Sequence, residues 1–269
     1  MKLKRFGLIA MLLYVYNVSI AEELSAKKAD RLLNIKMNNE LRVCIWPDYY
    51  SITYRNPRTQ MLEGIDIDIA HAFAEFLDVN IIFVDSSFAM LVENLSNNRC
   101  DIAMHGVGVR EDRAQFMAFT QPHLRSGIFA VGRKNNSDIQ SWEDIDQLGN
   151  IVVAQKGTYM EPVMRDQLEY AELTVVDDFM AREQEVMSGR ADVFMTDYPY
   201  ALRMVSLTQW ARLIEPPTPL APTDYAYAVP LNEDQWLKTV NHFMDEIRSK
   251  GLLLEFARKN GLEPIVLVD

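Results

Sequence analysis

The chain has 269 residues and a formal net charge of −11, with 24% charged and 49% hydrophobic residues. That composition can build a packed core and argues against disorder. The acidity makes nucleic acid or an anionic lipid surface a poor partner, because phosphate binding needs clustered lysine and arginine.

The first 21 residues read as a secretory signal peptide. Lys2, Lys4 and Arg5 precede a mostly apolar run over 6–18, and Ser19-Ile20-Ala21 offers small residues where a signal peptidase cuts. The run is shorter than the roughly 18–20 residues of a membrane span, and it holds Asn17. Cleavage after Ala21 removes three positive charges and takes the net from −11 to −14. In an oxidising compartment Cys44 and Cys100 could bridge. Cys44 falls inside a strand-like run and Cys100 just before another, and two buried thiols is the preferred reading. These cysteines and four scattered histidines (His71, His105, His123, His242) show no metal-ligand spacing, so no metal is expected, and no other cofactor.

Residues 22–37 are a polar, helix-prone lead-in. Residues 41–46 read as a buried strand stopped by Pro47-Asp48. Ile65, Ile69, Phe73, Phe76 and Leu77 share one helical face, with Asp66 or Asp68 as the expected cap. A strand over 81–84, a short helix over 88–95 and a strand over 102–104 complete a β-α-β-α-β pattern, which predicts a parallel sheet wrapped by helices. The pattern then restarts. Strands are expected over 127–133, 151–154, 173–176 and 193–195. Helices are expected over 141–148 (capped by Ser141), from Gly157 onward, over 180–188 and over 199–205. A proline-rich segment over 216–222 leads to a return strand over 226–229. An amphipathic helix marked by Leu237, Val240, Met244 and Ile247 follows. Two α/β units predict two lobes: 38–125 with 221–269, and 126–220 inserted between them. Ligands of such sheets lie beyond the carboxyl ends of the strands.

Seven short motifs occur in order: Leu41-Arg42-Val43, Gly64-Ile65-Asp66-Ile67-Asp68, Cys100-Asp101-Ile102-Ala103, Glu111-Asp112-Arg113, Phe119-Thr120-Gln121-Pro122, Gly157-Thr158, and Ala191-Asp192 with Thr196-Asp197. Together they resemble the family 3 solute-binding proteins, the polar amino-acid receptors of bacterial ABC importers, over about residues 41–256. The resemblance implies an α/β, two-lobed periplasmic binding protein fold of the Venus-flytrap type that closes about a hinge. It also implies a periplasmic monomer, a small amino-acid-like ligand and a membrane ABC permease as partner. Arg113 matches the arginine that grips the ligand's α-carboxylate, which suits a guanidinium fork. Asp197 matches the aspartate that receives the α-ammonium. Thr158, at a helix start with free backbone amides, would share the carboxylate. Tyr49 and Phe88 match the aromatics that hold the ligand's side chain, and Gly106, Gly108 and Tyr159 complete the expected lining. Trp46 stands where receptors for cationic amino acids carry an acidic residue, so an aromatic or apolar ligand side chain is expected.

The sequence departs from the family pattern at Arg110, where a Ser or Thr is usual. The segment Gly106-Val107-Gly108-Val109 also lacks the usual hydroxyls. Arg110 and Arg125 leave open a ligand with more than one anionic group. Residues 41–49 and 99–106 also resemble the periplasmic cyclohexadienyl (prephenate/arogenate) dehydratases, which carry a catalytic glutamate directly after an Asn-Pro-Gly-Gly-Thr-Asn loop. Here Glu161 falls one residue late, in Ala154-Gln155-Lys156-Gly157-Thr158-Tyr159-Met160-Glu161, without the Asn-Pro-Gly-Gly part. A binding protein is therefore expected, with a dehydratase as the alternative. A second alternative is a carrier that hands its ligand to a membrane sensor.

Overall fold

The computed structural model describes residues 31–268; the expected signal peptide and most of the lead-in lie outside the described residues. The described chain opens with a helix, Arg31–Asn38, and continues through β1 (Glu40–Ile45), β2 (Asp48–Tyr49), β3 (Thr53–Arg55), β4 (Leu62–Glu63) and the helix Ile65–Leu77. Next come β5 (Asn80–Asp85), the helix Leu91–Ser96, β6 (Ile102–Gly108), a single turn at Glu111–Ala114, β7 (Met117–Phe119) and β8 (Leu124–Ser126). Then follow β9 (Phe129–Arg133), β10 (Ile151–Gln155), helix Met160–Gln167, β11 (Glu172–Val176), helix Ala181–Met187, β12 (Val193–Thr196), helix Tyr198–Leu207 and β13 (Ala211–Ile214). The chain returns in β14 (Thr223–Pro230) and ends in the helices Asp234–Ser249 and Leu252–Lys259.

The strands form two main sheets. One has the order β5-β1-β6-β14-β7, with β8 also on β14; the other runs β11-β10-β12-β9-β13. In each, three neighbouring strands are parallel (β5, β1, β6 and β11, β10, β12), and the remaining strands pair antiparallel. This is the expected two-lobed α/β fold, with a small β2-β3-β4 sheet at the side. The returning C-terminal segment is tied to the first sheet's helices by aromatic packing. Phe73 is fully buried, its ring centre 4.6 Å from that of Phe243 and 5.5 Å from that of Trp236. Burial of one such side chain contributes about 1.5–3 kcal/mol.

Four local expectations are corrected. Residues 141–148 form turns rather than a helix. Asp144 accepts hydrogen bonds from the amides of Gln140 (2.9 Å) and Ser141 (2.8 Å), and only Ile145 in that stretch is buried. The expected helix over 88–95 begins at Leu91, which leaves Phe88 in the preceding turn. Neither Asp66 nor Asp68 caps the helix Ile65–Leu77; Gly64 precedes it at φ 131, where a Cβ would lie 2.3 Å from the carbonyl oxygen of Ile52. Asp66 is instead wholly buried. It accepts from the amide of Gly106 (2.8 Å) and the hydroxyl of Tyr227 (2.9 Å), and His123 lies 3.3 Å away. Finally, Cys44 and Cys100 form a disulfide rather than two free thiols, with Cα atoms 5.6 Å apart. Pairing of Cys44 with Ala103 in the β1–β6 ladder brings Cys100, just upstream of β6, alongside it.

Candidate functional site

Between the two sheets lies a cavity of about 30 Å³. Trp46 follows β1, Gly106 and Gly108 end β6, Thr158 follows β10 and Asp197 follows β12, so the lining is drawn from the carboxyl ends of parallel strands. All nine expected site residues line this cavity: Trp46, Tyr49, Phe88, Gly106, Gly108, Arg113, Thr158, Tyr159 and Asp197. Met160, Phe179, Arg182, Thr196, Tyr200 and Tyr225, which were not among the expected site residues, line it too.

Asp197 is the one carboxylate among the lining residues. Its Oδ2 accepts hydrogen bonds from the Tyr49 hydroxyl and, at 2.7 Å, from the Tyr225 hydroxyl. Its Oδ1 accepts from the amide of Tyr200 at 3.3 Å, so the same side chain also caps the helix Tyr198–Leu207. Burial pushes its pKa above the ordinary carboxylate value, and the two phenols, the amide and the charge of Arg182 only partly offset that. Hence the folded protein holds the Asp197 proton more tightly than the unfolded chain does. Stability is lost as pH rises from the ordinary carboxylate value through the raised one. Asp197→Asn is expected to abolish this loss, so its melting temperature relative to the native protein rises with pH across that window. A constant difference across the window contradicts the assignment.

Arg113 donates to the carbonyl of Gly108 (3.2 Å) in the first sheet and to that of Gly157 (3.3 Å) across the cavity. Its guanidinium carbon lies 5.6 Å from the centre of the Phe88 ring. Burial, helped by the charge of Arg110, lowers its pKa to about 10, so it stays cationic at neutral pH. Trp46 packs against Tyr49 (5.2 Å between centroids), Phe88 (5.3 Å) and Phe179 (4.3 Å), which makes one aromatic wall. Behind Phe88, His105 is fully buried, and burial takes its pKa down to about 4; it adds no charge at neutral pH.

Other expected features differ. The Gly157 amide donates to Glu161 (3.2 Å) and the Thr158 amide to the Gln155 carbonyl (3.3 Å), so the helix start does not offer two free amides. Arg110 is paired with Asp112 (2.7 Å) and Arg125 with Asp224 (3.1 Å), and neither lines the cavity. Their charges are answered within the chain, so they do not call for an extra anion on the ligand. Glu161 is bound to Arg165 (3.1 Å) and is also absent from the lining. Among the described residues no group of three His, Cys, Asp or Glu side chains is arranged to hold a metal ion.

Two guanidinium groups and one carboxylate facing one small cavity between two α/β lobes define a ligand-binding cleft. The chain belongs to the bacterial extracellular solute-binding proteins, family 3, whose sequence pattern matches residues 41–263. It is 30% identical over 214 residues to a cyclohexadienyl dehydratase of Pseudomonas aeruginosa, covering 77% of this chain and 80% of that protein. It is 26% identical over 269 residues to the L-cystine-binding protein TcyJ of Escherichia coli strain K12, covering 96% and 97%. Among solved structures it resembles the ancestral amino acid-binding protein AncCDT-1, a precursor of cyclohexadienyl dehydratase. That likeness has a TM-score of 0.77 at 26% identity and covers 85% of this chain and 98% of that one.

Proposed function

We propose that this chain is a periplasmic receptor, exported with cleavage after Ala21, that captures one small amino-acid-like ligand and delivers it as a monomer to a membrane ABC permease. In this reading one lobe comprises 38–125 and 221–269 and the other 126–220. Arg113 holds the ligand's α-carboxylate, Asp197 its α-ammonium, and Trp46, Tyr49 and Phe88 its side chain. The observation that carries the proposal is the position of Arg113 and Asp197 on one cavity, each following a strand of a different sheet. Its volume of about 30 Å³ holds roughly two waters, so an amino acid enters only when the lobes part. On entry the ligand's ammonium replaces the two phenols that donate to Asp197. The connectors support a hinge: the Ile128 amide donates to the Leu220 carbonyl at 3.0 Å, and Gly127 passes close to the same carbonyl.

Binding rather than catalysis is supported by Glu161, the glutamate nearest the dehydratase position, which is engaged by Arg165 outside the lining. Incubation of the protein with prephenate is therefore expected to leave its spectrum unchanged; steady formation of an aromatic product would establish the enzyme instead.

A thermal-shift panel of amino acids and aromatic carboxylates tests the receptor reading, since a ligand at about 100 times its Kd adds about 2.7 kcal/mol to stability. At least one α-amino acid is expected to raise the melting temperature, and lysine and arginine are not. Asp197 is the one carboxylate of the lining and is committed to the α-ammonium, so a second ligand cation would meet only the guanidinium groups of Arg113 and Arg182. Tight arginine binding by calorimetry contradicts this account of specificity.

A further inference from the structure

Arg182 is the feature of the cavity that the receptor reading leaves unused. It projects from the helix Ala181–Met187, is 1% exposed, and lines the cavity beside Asp197. Its Nε donates to the carbonyl of Phe179 (3.3 Å) and its Nη1 to that of Met195 (3.0 Å). Its Nη2 is buried with no hydrogen-bond partner among the described residues. The guanidinium carbon lies 4.0 Å from the ring centre of Phe179, 4.9 Å from Tyr200 and 5.2 Å from Phe194. These faces supply some attraction to a cation but no counter-charge.

The neighbouring carboxylates are already committed. Glu183 is paired with Arg203 at 2.6 Å and accepts from the Tyr200 hydroxyl. Asp197 takes two phenols and an amide, and its charge acts on Arg182 through space without an ion pair between them. A buried cation without an anion is strongly disfavoured unless something else answers it. The charges of the lining make the same point. Arg113 and Arg182 face Asp197 alone, and buried His105 is neutral at neutral pH. A zwitterionic α-amino acid satisfies Arg113 and Asp197 and leaves Arg182 unmatched.

We propose that Arg182 forms a second anion subsite, so that the ligand is an amino acid whose side chain carries a further carboxylate. The subsite rests on the receptor reading, with the α-groups on Arg113 and Asp197. The aromatic wall formed by Trp46, Phe88 and Phe179 then contacts the body of a ligand whose far end is acidic.

Calorimetry on the mature protein with matched acid and amide pairs tests this. Suitable probes are L-glutamate with L-glutamine, and 4-carboxy-L-phenylalanine with 4-carbamoyl-L-phenylalanine. The acid of at least one pair is expected to bind at least about 10-fold tighter than its amide. Arg182→Met keeps the aliphatic stem and removes the charge; it is expected to bring the acid-to-amide affinity ratio to about one. Where Arg182→Met melts without cooperativity, the ratio in the native protein and in Arg182→Lys decides. Amides that bind as tightly as their acids in both pairs, or an acid preference that survives in Arg182→Met, overturn the subsite. Binding confined to monocarboxylic amino acids removes the subsite and leaves the receptor reading standing. Failure of every amino acid to bind removes both.

Discussion

Arg113→Ala is expected to weaken amino-acid binding about 30-fold or more while the protein keeps its fold. Truncating one partner of a buried, hydrogen-bonded charge pair costs roughly 2–5 kcal/mol, at about 1.4 kcal/mol per tenfold in affinity. Much of that is the cost of leaving the ligand's carboxylate dry and unmatched. The fold is spared because Arg113 makes no ion pair to a carboxylate among the described residues. Its own hydrogen bonds go to two backbone carbonyls, at 3.2 and 3.3 Å. Burial and the repulsion of Arg110 disfavour the cation and outweigh the attraction of Asp112, so the folded state has little to lose. Calorimetry on a ligand found by the thermal-shift panel, with the melting curve of each variant as control, checks both halves. Unchanged affinity in Arg113→Ala removes the central residue of the site.

The second large effect concerns stability. Replacing both cysteines, Cys44→Ala with Cys100→Ala, is expected to lower stability by about 4 kcal/mol, from the chain-entropy relation for a closed loop. The bridge spans 56 residues and encloses β2 to β5 with their helices. For a chain of this size that corresponds to a melting temperature lower by roughly 10 °C. Both cysteines are fully buried beside Leu91, Leu95 and Ala103, so the alanines also lose some packing. A melting temperature within a degree or two of the native value would show that the bridge does not hold this region together. Affinity is expected to change far less than stability, because neither sulfur lines the cavity.

Which features were legible in the sequence follows from the range of the interactions that create them. The parallel strands β1, β6, β10 and β12 stand out as short apolar runs, because strands largely covered on both faces need apolar side chains. The edge strands β5 and β11 carry apolar runs too, although they are only half-buried. The strands β2, β3, β4, β7, β8 and β13 are two to four residues long and escaped notice. Such short segments become strands only through partners elsewhere in the chain, as β8 does against β14 nearly 100 residues later. Asp66 looks like a helix cap in a local window. Its real partners, Gly106, His123 and Tyr227, are 40, 57 and 161 residues away.

The candidate site was legible where a motif marked it and hidden where none did. Arg113 and Asp197 fall in short recognisable strings. Arg182 sits in an ordinary stretch, Phe179-Met180-Ala181-Arg182-Glu183, where nothing local says that the side chain turns inward beneath three aromatic rings. Tyr225 lies one residue before the expected return strand, and its hydroxyl reaches Asp197 only because β14 pairs with β6. The disulfide had a signal, export with two cysteines, but the preference for free thiols ignored that β1 and β6 become neighbours.

The account turns on how the ligand's two α-groups are held, and a crystal structure of the protein with the ligand found by the panel tests that most directly. The predicted result is a closed cleft with the α-carboxylate on the Arg113 guanidinium. The α-ammonium lies on Asp197, in place of the Tyr49 and Tyr225 hydroxyls. A ligand bound outside this lining, or one inside it whose carboxylate leaves Arg113 unengaged, would contradict it.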